Sequence, residues 1–243
     1  MNDFVDQRTV VKPTVETIAK DLGLKRFLLG IYQKMALGLL VTGAMAWAVA
    51  HTPVLIQLLF NERGYTPLGW VFALAPLGLM LASNLFMRNL NVAMLALFYW
   101  LFVAVMGVTL SIYFLIYTGP ALAMTFFITA GAFGGLSIAG YTTKVNMSGW
   151  GSFLTMGVIG LILASVVNIF MHNSMLDMAV SALGVLIFSG LIAYKTQWLK
   201  STYYQLETSQ AGLAAMTYYG ALSLYISFIN LFLSILRLTG GRR

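Results

Sequence analysis

The sequence predicts an all-α, polytopic membrane protein with seven transmembrane helices, and three observations carry that prediction. Of 243 residues, 60% are hydrophobic and only 9% are charged, against roughly 25% charged in an ordinary soluble domain. The apolar residues fall in runs near the roughly 20 residues needed to cross a hydrocarbon core. None of these runs has the short alternating pattern of a membrane barrel. A soluble enzyme, a disordered chain and a disulfide scaffold are excluded, the last because there is no cysteine. With His51 and His172 the only histidines, no metal site is expected, and none of the residues calls for a cofactor.

Residues 1–26 form a polar tail holding four of the seven acids and five Lys/Arg, with a short helix expected from about Val15. The tail lacks the early apolar run and small-residue cleavage site of a secretory signal. Residues 27–243 form the membrane domain. Its spans are expected at 28–50, 67–87, 92–113, 121–140, 150–171, 177–198 and 217–237. Pro53 and the Asn61–Gly64 run separate the first two, and apolar Val54–Phe60 between them suits a segment lying on the membrane surface. Arg88-Asn89 punctuates spans 2 and 3. Gly119-Pro120 starts span 4, the proline near the first helical position where its missing N–H does no harm. Lys144–Gly149 separates spans 4 and 5, and Lys195–Thr217 reads as the longest polar connection in the hydrophobic part.

The net charge of +7 is a topology signal rather than a nucleic-acid footprint. With the N-terminus inside, Arg8, Lys12, Lys20, Lys25, Arg26, Arg88, Lys144, Lys195 and Lys200 all fall inside, and only Arg63 lies in an outside loop. Arg237, Arg242 and Arg243 then fall outside, against the rule, unless the last apolar segment is re-entrant. Seven spans are the main reading and six plus a re-entrant segment the alternative.

Small residues mark packing faces. Gly131, Gly135 and Ala139 in span 4, and Gly157, Gly160 and Ala164 in span 5, form ridges on which a neighbouring helix can pack, within the chain or across a dimer. In span 7, Gly220, Ser223, Ser227, Asn230 and Ser234 recur at steps of three and four, so they share one face. A polar stripe facing lipid is costly, so this face points into the bundle, as packing or as the lining of a path. Asp177 is the only acid near the outer half of spans 5 and 6. Ser174-Met175-Leu176-Asp177 matches a capping box, with an ion-recruiting outer acid as the other reading. Lys195, at the inner end of span 6, is expected to snorkel to the cytoplasmic headgroups, and Lys34 likewise. His172 reads as an interfacial loop residue. Between Tyr65 and Met175 there is no carboxylate, so paired-acid catalysis has no place to sit and no enzyme is expected.

Thr125-Phe126-Phe127-Ile128-Thr129-Ala130, Gly140-Tyr141-Thr142-Thr143-Lys144 and Ser148-Gly149-Trp150-Gly151-Ser152-Phe153-Leu154 resemble the Bax inhibitor-1 family. So do Tyr117-Thr118-Gly119, Gly184–Leu191, Gly220-Ala221-Leu222-Ser223-Leu224-Tyr225 and Phe228-Ile229-Asn230-Leu231-Phe232. The order and spacing of these stretches run from about residue 22 to the end and resemble a bacterial member. The resemblance implies a seven-helix bundle with the seventh helix central, surrounded by the other six, in a bacterial inner membrane; the Lys/Arg count puts the N-terminus in the cytoplasm. Family members are similar to pH-sensitive calcium leak channels, and one bacterial member modulates a membrane-bound AAA protease. The implied partners are therefore the lipid bilayer, calcium ions or a membrane protease, and no nucleic acid.

The family mechanism rests on two aspartates that share a proton, one in a Tyr-Asp-Thr-Gln motif and one in a Leu-Tyr-Leu-Asp-Phe-Ile-Asn motif. Here the motifs read Tyr194-Lys195-Thr196-Gln197 and Leu224-Tyr225-Ile226-Ser227-Phe228-Ile229-Asn230, and Asn146 stands where an aspartate is common. Coupled carboxylates titrate as a pair, which a lysine and a serine cannot do. The resemblance thus implies the family fold with a weakened leak and no acid-pair switch. The alternative is a non-transporting modulator of a membrane protease or another membrane complex. On the seven-span reading, a cysteine placed by Arg243→Cys should label only from outside. Labelling only from inside would identify the re-entrant form.

Overall fold

A computed structural model describes residues 15–61, 64–87 and 91–241. Among them are α1 (Val15–Ala50), α2 (Pro53–Leu59), α3 (Pro67–Met87), α4 (Val92–Ile116), α5 (Gly119–Thr142), α6 (Ser148–Met171), α7 (Ser174–Leu206) and α8 (Gln210–Thr239). A two-residue hairpin, β1 (Phe60–Asn61) and β2 (Gly64–Tyr65), pairs Phe60 with Tyr65 between α2 and α3. The all-α membrane class is as the composition requires. Six helices are long and apolar enough to cross a membrane, namely α1 from Lys20, α4, α5, α6, α7 and α8. The remaining helix, α3, runs 21 residues without a charged side chain, near the length a crossing needs, so a seventh crossing depends on α3. The last segment, on which the re-entrant alternative turns, is one unbroken helix of 30 residues.

Two helices are longer than their hydropathy suggests. The short tail helix and the first span are one continuous α1 of 36 residues. Leu24, Phe27 and Ile31 are already buried on it, and the 26/27 boundary between tail and membrane domain falls inside it. The polar Lys195–Thr217 stretch is not a loop: α7 continues to Leu206, and α8 begins at Gln210 after a three-residue turn. Apolar runs report where lipid ends, and a helix with good formers continues past that limit. Val54–Phe60, expected on the membrane surface, is helical as far as Leu59, in α2 started by Pro53, and Phe60 opens β1.

The helices gather around α8. It packs on α7, α1, α5 and α4, whereas α3 packs mainly on α4, and α6 on α7. The central helix is therefore surrounded directly by four neighbours and not by six. Close approach comes mostly from glycines outside the two expected ridges. A Cβ on Gly140 would run into the Ala193 backbone, and one on Gly107 into Met45 and Thr42. Gly131, Gly135 and Gly160 meet nothing within 4 Å and face outward, while Gly157 does touch Ile187.

A backbone group freed by proline is answered inside the protein. Pro76 sits within α3 and has no N–H to give the carbonyl of Phe72, four residues back. Thr109 of α4 donates to that carbonyl instead, at 2.8 Å. Thr109→Val should orphan it and destabilise the protein by about 1–3 kcal/mol. Thr109→Val with Pro76→Ala should recover most of that loss, because an alanine in place of the proline restores the helical bond. Thermal unfolding of the four forms in detergent measures this coupling.

Candidate functional site

The polar stripe of α8 and the facing side of α7 form a polar surface inside the bundle. Lys195, near the α8 end of α7, does not snorkel. Its Nζ turns inward and donates to the Ser223 carbonyl and to Ser227 Oγ, each at 3.0 Å. Ser227 Oγ donates in turn to the same Ser223 carbonyl at 3.1 Å. Ser227 is fully buried. Three residues predicted as site positions are thus one hydrogen-bonded cluster, and both protein partners of the ammonium are neutral oxygens. Either direction was open to so flexible a stem. The Ser223 carbonyl of α8 and the adjacent Ser227 hydroxyl offer two acceptors within reach of the inward rotamer.

The neighbours of Lys195 in its motif explain why that stretch is helical and fixed. The Tyr194 ring lies against Gly151 of α6, where a Cβ would collide with it. Gln197 clamps the α5–α6 loop from both ends of its amide: Oε1 accepts from the Met147 N–H and Nε2 donates to the Val145 carbonyl, each at 2.8 Å. Asn146 caps locally, its Oδ1 accepting from the Ser148 N–H. Lys34 places its ammonium over the Tyr218 ring, 4.8 Å from the centroid, instead of reaching for headgroups.

The stripe continues as the wall of a cavity of about 440 Å³ between α3, α6, α7 and α8. Lys195, Ser227, Asn230, Ser234 and Arg237 line it on the polar side, and leucines, isoleucines and valines of α3 and α6 on the other. Asn230 donates one amide N–H to its own Ile226 carbonyl. Gly220 does not line the cavity; its bare Cα admits Leu199 and Ile31. An adjoining cavity of about 240 Å³ at the α6–α7 turn is lined by Asn168, Asp177 and Arg237, among others.

Asp177 does not act as a capping box. The cap of α7 is Asn173, whose Oδ1 accepts from the N–H groups of Met175 and Leu176. Asp177 stands one position too far along and pairs with Arg237, Oδ1 to Nη1 at 3.8 Å. His172, read as an interfacial loop residue, is the left-handed C-cap of α6 with φ 49°. Arg237 is the functional candidate that topology counting conceals. It lies three residues beyond Ser234, so it extends the same three–four stepping that draws attention to the stripe.

A second cluster lies on the opposite side of α8. Tyr225 and Thr42 of α1 share a hydrogen bond of 2.6 Å, and Thr42 also donates to the Val103 carbonyl of α4. Beside it, an apolar cavity of about 310 Å³ opens between α1, α4, α5 and α8, lined largely by aromatic and leucine side chains. No group of three or more His, Asp or Glu side chains converges among the described residues.

Comparison with known proteins places this architecture. The chain is 52% identical over 228 residues to an uncharacterized protein of Caulobacter vibrioides, covering 92% of this chain and 91% of that relative. It is 38% identical to the inner membrane protein YbhL of Escherichia coli over 244 residues, 100% of each chain. It is also 38% identical to the uncharacterized protein RP147 of Rickettsia prowazekii, over 99% of this chain and 100% of that one. A family model described as "Inhibitor of apoptosis-promoting Bax1" matches residues 24–243. That match takes in every helix of the bundle from the buried start of α1 onward, and this multi-pass membrane protein belongs to the Bax inhibitor-1 family.

Proposed function

We propose that the chain is an attenuated member of a calcium-leak family, its cation path filled by its own ammonium. The observation that carries this reading is the seating of Lys195 Nζ on the Ser223 carbonyl and Ser227 Oγ. A permeating cation needs such oxygens in place of its hydration shell, and cation paths are commonly ringed with acids. Here the oxygens are occupied by a tethered positive charge that also repels a divalent ion. Without two carboxylates sharing a proton, the pair-type pH switch has no chemical basis at these positions. The reading places the N-terminus in the cytoplasm and assigns the chain no enzymatic reaction.

A second reading, a modulator of a membrane protease or another membrane complex, is favoured by α1. That helix runs unbroken from Val15, and Lys20 near its start pairs with Glu207 at the α7–α8 turn, at 3.3 Å. The arrangement gives a partner a fixed polar handle. Deleting residues 1–20 and testing pull-down of membrane partners examines this reading.

Reconstitution in liposomes with a trapped calcium dye examines the first. Wild-type flux should be low and flat through the carboxylate pH range. Lys195→Asp with Ser227→Asp should raise it about tenfold or more, the effect of roughly 1.4 kcal/mol on a barrier. A wild-type leak that rises reversibly with pH through the carboxylate range would overturn the proposal.

A further inference from the structure

We infer that the cavity between α3, α6, α7 and α8 is a binding site for a small monovalent inorganic anion, held beside Lys195. The inference concerns what the cavity holds and stands whether or not calcium passes. An ammonium inside a membrane bundle is normally matched by a carboxylate or by several oxygens. Lys195 meets two neutral oxygens, and no described carboxylate pairs with it. An ammonium has three donors, and Lys195 lines the cavity, so one donor is left to face it. Hydroxyls and water can complete its hydrogen bonding, but they cannot balance its charge.

The one other charged side chain described on that wall has the same sign. Arg237 lines the cavity at the other end of the stripe, roughly 21 Å from Lys195 by the helical rise between Ser223 and Arg237. Asp177 answers the guanidinium there, so one uncompensated positive charge remains, the one on Lys195. Between the two cations, Asn230 has a second amide N–H beyond the one given to Ile226. The Ser227 hydroxyl is already directed at its own helix. A cavity of about 440 Å³ has room for a halide-sized ion with part of its hydration shell. Basic side chains along a pore or cavity select anions as acidic ones select cations.

Chloride is the probe. The full chain, purified in detergent, is titrated with chloride in place of gluconate at constant ionic strength, and its thermal midpoint is followed. A ligand that binds only the folded state raises that midpoint saturably. Wild type should show such a rise, and Lys195→Met, which keeps the stem and removes the charge, should not. Ser227→Asp supplies a carboxylate to the ammonium from within the protein. It should be insensitive to chloride while matching the midpoint of chloride-saturated wild type, a result that loss of folding cannot imitate. A wild-type midpoint indifferent to chloride, or an equal rise in Ser227→Asp, would overturn the inference. Calcium flux is not read here, so its presence or absence leaves this result unaffected.

Discussion

A helix at the centre of a membrane bundle must find a partner for each of its polar groups without water. That constraint on α8 organises the rest of the molecule. More of α8 is buried than of any other long helix, and it carries Ser223, Tyr225, Ser227, Asn230 and Ser234 into that interior. Some of these groups bond back to their own helix, as Ser227 does to Ser223 and Asn230 to Ile226. Others recruit a neighbour: Tyr225 takes Thr42 of α1, and Ser227 with the Ser223 carbonyl takes Lys195 of α7. In a low dielectric an unpaired group is expensive, so such contacts fix rotation and register where apolar packing alone would allow sliding. The threonine that answers the Phe72 carbonyl applies the same rule at the periphery.

The two faces of α8 have opposite chemistry. Toward α1, α4 and α5, the Tyr225–Thr42 pair sits beside an aromatic, apolar hollow. Toward α6 and α7, the stripe, Lys195 and Arg237 border a hollow of mixed polarity. One helix therefore divides the interior into a compartment suited to hydrocarbon and one suited to charge. The charged compartment is the one that holds Lys195 and Ser227.

Much of this is legible in the sequence. The apolar runs locate every long helix, because hydropathy and span length are set by the same bilayer. The stepping of Gly220, Ser223, Ser227, Asn230 and Ser234 locates the buried polar face, because helix periodicity projects directly onto burial. The failures have physical reasons too. Hydropathy marks the edge of lipid and not the end of a helix, so it cuts α1 and α7 short. Glycine spacing describes a flat face but not which side another backbone occupies; Gly140 meets Ala193, while Gly131 and Gly135 meet nothing within 4 Å. Lys195 has two directions open, and the choice depends on acceptors of a helix 28 residues away in sequence. Asn173 displaces Ser174 as the cap because its amide oxygen reaches two backbone donors at once.

The position of α6 also bears on how the protein is made. It packs mainly on α7, little of its surface is buried, and it is among the most apolar of the six long helices. Translation delivers α6 to the bilayer before its partner exists, so lipid alone must hold it during that interval. Its hydropathy meets that need: the helix with the least protein to lean on is apolar enough to stand by itself. The turn at His172 and Asn173 then brings α7 down beside it, so the two enter as a local hairpin onto which later packing is added. The polar face of α8 arrives last, when the helices that must answer it are already in place.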